Sequence, residues 1–228
     1  MNDSDTFDSE NPSTLDPPGS IAVIGAGPLG VEAALYGRFL GYDVSLIDAV
    51  EVGHTLLSMD DTDLPILPNR SLSPLAASAI EAQNEESAGR TLPLTLWQWV
   101  HDALVPVTQT DLLRGRIQAP RRVVRVTTIP IESDVDDQED IPPDYRLIMQ
   151  DDAGEEYELD AEAVIVATGD SPDIEADFSL PSPYFFRIGA TAGSDWEACL
   201  LAGLLEIVAV YASLAGREDL DLYRPLRG

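Results

Sequence analysis

The stretch Ile21-Ala-Val-Ile-Gly-Ala-Gly-Pro-Leu-Gly30 decides how this chain reads, together with the run to Leu40 and the segment Gly41-Tyr-Asp-Val-Ser-Leu-Ile-Asp48. A short β-branched apolar run predicts a strand over about 21–24. Helical spacing follows over 28–40, and a second apolar run over 43–47 ends in a carboxylate. Glycines at 25, 27 and 30 have the spacing of a dinucleotide-binding turn between strand and helix. Gly25 permits the tight turn, Gly27 removes a side chain where backbone approaches a pyrophosphate, and Gly30 lets the helix lie close on the strand. Pro28 falls in the first helical turn, where its missing N–H leaves nothing unpaired. The free N–H groups there, with the helix dipole behind them, make an anion site that includes the Leu29 position. Asp48, eighteen residues beyond Gly30, is placed to accept hydrogen bonds from a ribose.

The 228 residues suffice for one sizeable core, and the net charge of −28 is the most unusual bulk property. All 13 basic residues are Arg and none is Lys, which excludes Schiff-base chemistry. Such acidity disfavours nucleic acid and anionic membrane surfaces as partners, since both bind through phosphate neutralisation. The single cysteine, Cys199, lies in an apolar helical run and reads as a small core residue. Without a second cysteine there is neither an intrachain dithiol relay nor a disulfide framework, which fits a cytoplasmic location. Residues 1–19 lack the basic and apolar regions of a signal peptide and read as a disordered acidic arm. No metal-ligand cluster is visible. The apolar run from Cys199 to Ala215 carries Glu206 and reads as a buried helix, not a membrane span.

Along the chain, residues 49–72 form a long Asp- and Pro-punctuated loop, and Ser73-Pro74 opens a helix to about 83. The run 95–104 has a helical stripe. Its Trp97 and Trp99 admit a nucleotide-stacking role or a packing role, with packing favoured. His101 on the same run and His54 in the long loop are candidate bases; a partly exposed packing role is favoured for His101, and no chemical role for His54. Five arginines cluster over 114–125 and suit either an anionic ligand or the abundant acids, with acid pairing favoured. A third strand is expected over 123–128, a loop over 129–144, and a hairpin over 145–159. A strand buried on both faces follows over 163–169, then a polar segment over 170–183. A last strand over 184–190 and a helix over 195–215 precede a tail over 216–228. The fold class so predicted is α/β: a Rossmann-like parallel sheet flanked by helices, with a small antiparallel β-meander.

Three stations now line up: the Gly25–Gly30 turn with Asp48, the meander leading into Ala163-Val-Ile-Val-Ala-Thr-Gly169, and Phe185-Phe-Arg-Ile-Gly-Ala190 with its helix. In this order they resemble the FAD-binding domain of flavoproteins with two dinucleotide-binding domains, a group that includes thioredoxin-reductase-like enzymes and flavin-containing monooxygenases. The resemblance covers residues 20–215 and implies an FAD site. It would comprise Gly25, Gly27, Pro28, Leu29, Gly30, Asp48, Val124, Thr168, Gly169, Gly189 and Ala190. Three departures stand out. Asp48 replaces the usual Glu. Ala190 occupies a position where the family often has an acid, leaving backbone N–H groups from Gly189 to Gly193 to face the cofactor. Only fourteen residues separate Gly169 from the last strand, and no second Gly-x-Gly-x-x-Gly exists, so the NAD(P)H-binding domain that the family inserts there is absent.

The resemblance therefore implies a flavoprotein oxidoreductase reduced to its FAD domain, taking electrons from a separate reductase or from substrate. No residue stands out as a catalytic base. The alternatives are a non-catalytic nucleotide-binding or regulatory descendant of such an enzyme and, less favoured, an NAD-dependent dehydrogenase built on one Rossmann unit.

Overall fold

Apolar residues alternate between two faces of the strand Ser20–Ile24 (β1), and the whole fold is layered on that alternation. In the computed structural model, which describes residues 14–59, 62–83, 92–129, 142–169, 174–190 and 195–224, β1 is central in a five-stranded sheet. The helix α1 (Pro28–Leu40) leads to β2 (Asp43–Ile47). The long loop beyond it contains the short α2 (His54–Leu57) and a 3-10 turn at Pro68–Arg70. Next come α3 (Pro74–Glu81), α4 (Leu96–Trp99), a π-helical turn at Val100–Leu104, and α5 (Val105–Thr108). The remaining elements are β3 (Ile117–Gln118), β4 (Arg122–Ile129), β5 (Asp144–Gln150), β6 (Glu156–Ala161), β7 (Ala163–Val166), β8 (Glu175–Ala176), β9 (Phe185–Arg187) and α6 (Trp196–Leu214). The first sheet has the order β3-β2-β1-β7-β9 and every neighbouring pair is parallel.

Ile21, Val23, Val44, Leu46, Ala163 and Ile165 face a core shared with α1 and α6. Ala22, Ile24, Ile47, Val164 and Val166 face the other way, onto Val126, Tyr145, Leu147 and Met149 of a second sheet. That sheet has the order β6-β5-β4-β8, with β4, β5 and β6 antiparallel and β8 parallel to β4. The antiparallel unit is thus a full layer over one face of the parallel sheet, and α1 and α6 cover the other. Burying both faces explains why β1 and β7 read as continuous apolar runs.

Helix α1 approaches α6 closely because its contact residues are small. A Cβ on Gly37 would lie 2.4 Å from the Tyr211 hydroxyl, which donates to the Ala33 carbonyl at 2.8 Å. Tyr36 and Tyr211 stack with ring centroids 5.1 Å apart. The expected buried helix is buried on one face only: α6 is long and apolar enough to cross a membrane, and its Gly203, Ile207, Val210, Tyr211 and Leu214 pack against this body, whereas Cys199 is half-buried and Leu201 and Leu205 are exposed. The Asp195 side chain caps it, accepting from the Ala198 N–H.

The expected helix over 95–104 continues to Thr108 through a change of register. Thr95 caps its start, accepting from the Gln98 N–H, while the Gln98 side chain accepts from the Leu94 N–H. Pro106 has no N–H to close an ordinary bond to Asp102. Just before it the ladder widens, with the Val105 N–H donating to the Val100 carbonyl. Strands β3 and β8 were not expected; two residues each are too short to carry a period. The expected long loop carries two short helical turns, at His54–Leu57 and Pro68–Arg70, and anchors Leu56, Ile66 and Leu72 in the core. The strand and helix boundaries otherwise differ from expectation by a few residues at their ends.

Both chain ends pack onto this body where they are described. Leu15 is buried, its N–H donating to the Leu214 carbonyl and its carbonyl accepting from Tyr42. Beyond α6, Leu220 is buried and the Leu222 N–H donates to the Tyr36 hydroxyl. Residues 1–13 of the expected arm, and the core of the expected loop over 129–144, lie outside the described residues.

Candidate functional site

The carboxyl ends of β1, β2 and β7 open into a cleft of about 550 Å³. Its walls come from the first turn (Gly25, Gly27, Pro28), the end of β2 (Asp48 to Val50), the α2 region (Gly53 to Leu56), the start of β4 (Arg121 to Val123) and Ala167-Thr168. Open parallel sheets place ligands at such carboxyl ends.

The three glycines of the turn do different work. Gly25 has φ +101°, and a Cβ there would sit 2.8 Å from Thr168 Cγ2. At Gly30 a Cβ would lie 1.7 Å from the Gly25 carbonyl oxygen, which no side chain tolerates. The chain itself therefore requires both. Gly27 is different: its φ of −73° and ψ of −177° suit any residue, and a Cβ would meet nothing within 4 Å. Nothing among the described residues requires glycine at this rim position.

Gly27 is also the N-cap of α1, and no side chain caps that helix. By contrast Ser73, Thr95 and Asp195 cap α3, α4 and α6. No side chain among the described residues caps the first-turn N–H groups of α1, which suit an external acceptor, with the helix dipole favouring an anion.

Asp48 lines the cleft and also ties it together. Its Oδ2 accepts from the Ala26 N–H at 2.7 Å and its Oδ1 from the Val50 N–H at 2.9 Å. Each oxygen keeps acceptor capacity for a hydroxyl. The arginine cluster divides. Arg116 pairs with Asp43 and Arg125 with Glu175, as acid pairing predicts. Arg121 lies 3.7 Å above the Tyr157 ring and 3.7 Å from Asp151, while also lining the cleft. Arg122 lines the cleft too, and no ion pair engages it among the described residues.

Of the expected site residues, Gly25, Gly27, Pro28, Asp48 and Thr168 meet in this cleft. Gly30 is buried behind the turn, and Leu29 packs toward Gly189 and Gly203. Val124 falls at a register shift in β4, so that Val123 lines the cleft in its place. Gly169, Gly189 and Ala190 do not line it. The Gly189 N–H is not free to face a cofactor, because it donates to Glu206 Oε2 at 2.6 Å; that pairing explains the acid in the apolar run of α6. Residues 191–193 lie outside the described residues.

His54 is on the cleft rim, exposed, 3.7 Å from Glu51. His101 is away from it, stacked on Trp97 at 4.0 Å. The Trp99 indole is buried and donates to the Ser71 carbonyl at 2.6 Å, so neither tryptophan is a stacking platform for the cleft.

A second cleft, of about 370 Å³, shares Pro28 with the first and lies between α1, the Asn69–Pro74 segment and α6. Glu32 of α1 lines it at 5% exposure. Its Oε1 accepts from the Ser73 N–H at 3.2 Å, and its Oε2 accepts from the Ser73 hydroxyl at 2.8 Å and the Tyr223 hydroxyl at 3.3 Å. Burial pushes its carboxyl above the ordinary value of 4.5, with the Ser73 and Tyr223 bonds opposing that rise. Sequence reading missed this residue; the one signal was an acid inside the otherwise apolar run Val31–Leu35.

The raised value has a signed consequence for stability. A carboxyl that holds its proton more tightly folded than unfolded contributes fully below about 4.5, and that contribution is lost as pH rises through the folded value. Melting temperatures of the wild type should therefore fall relative to those of Glu32→Gln between pH 4.5 and neutrality. A difference that stays constant across that range would show that Glu32 titrates as it does unfolded.

No family model and no curated protein matches the chain. Among solved structures it is similar to a bacillithiol disulfide reductase from Bacillus cereus, at 16% identity and TM-score 0.47, over 66% of this chain and 40% of that one. It is also similar to an oxidized steroid monooxygenase bound to NADP, at 21% identity and TM-score 0.46, over 66% and 26% of the two chains. The thioredoxin reductase of T. acidophilum matches at 15% identity and TM-score 0.37, over 65% and 34%. The chain thus spans less than half the length of each of these three proteins.

Proposed function

We propose that the cleft at the β1–α1 turn binds FAD, and that the chain is the FAD-binding part of a flavoprotein oxidoreductase whose electrons come from a separate reductase or from substrate. The observation that carries this reading is Gly27, a glycine with an ordinary backbone and empty space where its Cβ would be, at the uncapped start of α1. Glycine there makes sense if a ligand's pyrophosphate needs that space. The residues present fit the adenosine-diphosphate half of the cofactor: the α1 N–H groups for the phosphates, Asp48 for the ribose, and Arg121 and Arg122 for residual negative charge. When bound, FAD supplies the redox chemistry; the chain supplies binding, orientation and field.

A second reading, a nucleotide-binding descendant without catalysis, is favoured by the other end of the site. Glu206 already occupies the Gly189 N–H, and Ala190 offers no side-chain acceptor. One titration separates the two. Under the FAD reading, the protein mixed with FAD acquires bound-flavin bands near ~450 nm and binds FAD more tightly than ADP. Equal affinity for FAD and ADP supports the second reading. Failure to bind either in calorimetry overturns both.

A further inference from the structure

Glu32 raises a question of charge that the dinucleotide reading does not answer. A carboxyl at 5% exposure in an apolar setting needs either a proton or a counter-ion. Its three donors, two from Ser73 and one from Tyr223, are all neutral, and none of the ion pairs among the described residues includes it. Arg70, the arginine that lines the same cleft among the described residues, pairs with Glu197 instead. Among the described residues the cleft thus carries two carboxyls and one guanidinium, with walls that are otherwise largely aliphatic, chiefly Leu72, Leu104, Leu200 and Leu204.

We infer that this second cleft is a binding site for a small organic cation, an amidinium or ammonium group on an apolar body, with Glu32 as its counter-ion. Oε1 holds a single donated bond and so keeps a lone pair for an N–H of the ligand. The aliphatic walls match the apolar body, and the Arg70–Glu197 pair stands at the more exposed end, where a matched pair leaves the net charge to Glu32. Charge-assisted N–H to carboxylate bonds are among the stronger ones available, and more so out of water. An anion would meet an unshielded carboxyl and is excluded. The site is separate from the Asp48 cleft, although Pro28 borders both, and the inference holds whether or not FAD binds.

The test is a calorimetric series on the full chain with benzamidine, benzamide and benzoate, which share a flat apolar body and differ in charge. Benzamidine is expected to bind with a dissociation constant on the order of 1 mM, benzamide more weakly, and benzoate not at all. Glu32→Gln should weaken benzamidine by about 10- to 100-fold, whereas Asp48→Asn should leave it unchanged. Should Glu32→Gln fail to fold, Ala77→Trp fills the cleft from α3 and should abolish binding. The wild-type charge series decides the matter on its own as well. Benzoate binding as well as benzamidine would overturn the inference, as would an effect of Asp48→Asn in place of Glu32→Gln. So would a lack of saturation by roughly 10 mM, ten times the expected constant. FAD affinity, measured in parallel, keeps failure here distinct from failure of the dinucleotide reading.

Discussion

Gly27→Val is expected to abolish FAD and ADP binding while leaving the melting temperature within about 2 °C of wild type, a shift worth less than about 1 kcal/mol. The fold half of this expectation follows from geometry. The backbone at Gly27 is extended, and the added Cβ meets no atom of the described residues within 4 Å. The Val31 N–H to Gly27 carbonyl bond, at 3.0 Å, uses backbone atoms that the substitution leaves in place. The ligand half follows from where that open space lies. It fronts the uncapped N–H groups of α1, and branched methyls there displace any phosphate from hydrogen-bonding range. Hydrogen bonds to a charged group are worth about 1.5–3 kcal/mol each, so losing two of them costs more than a hundredfold in affinity. Calorimetry with FAD and ADP, beside a thermal melt, checks both halves. Retained affinity would mean that the ligand stays clear of Gly27, and a collapsed melt would mean that the glycine serves the fold.

The β1–α1–β2 unit was legible in the sequence because its determinants are local: a β-branched run, a glycine turn, a helical period and a terminal acid, all within 28 residues of one another. The meander was legible for the same reason, through the Asp151–Gly154 turn between alternating runs. The spacing assigns each glycine of the turn a separate task; what it does not reveal is which of them the fold itself cannot replace. Gly27 and Gly30 look alike in a Gly-x-Gly-x-x-Gly string; only the position of the Gly25 carbonyl, 1.7 Å from one hypothetical Cβ and absent from the other, distinguishes them. Glu32 was hidden for a different reason. An acid on a helix ordinarily faces solvent, and its burial here depends on Ser73 and Tyr223, 41 and 191 residues away. Glu206 and Gly189 likewise meet across a strand–helix connection that no periodicity reports. Val124 was displaced from the site by a bulge, which shifts every side chain beyond it to the other face and leaves no mark on the alternation of so short a run.

Gly30→Ala should have the opposite outcome to Gly27→Val: a large loss of stability, roughly 3–5 kcal/mol. The added Cβ would sit 1.7 Å from the Gly25 carbonyl oxygen and 2.9 Å from its carbon, so either the turn or the helix must move. The turn is poorly able to yield. Gly25 is held at φ +101°, its N–H bonded to the Ile47 carbonyl at 2.7 Å. The adjacent Ala26 N–H is held by Asp48 at 2.7 Å, and the Ala167 N–H holds the Ile24 carbonyl at 2.8 Å. Helix α1 is no freer, being wedged against α6 through Gly37 and Tyr211. Alanine gains about 1 kcal/mol over glycine in helix propensity, which is smaller than the cost of a backbone clash of this size, so the clash wins. For a chain of this length the melting temperature should fall by about 10 °C or more. FAD binding measured below the new midpoint should weaken as well, since the displaced turn carries the anion site with it. A stability unchanged from wild type would mean that α1 does not lie on the turn as closely as described. The anion site at its N-terminus would then not depend on this contact.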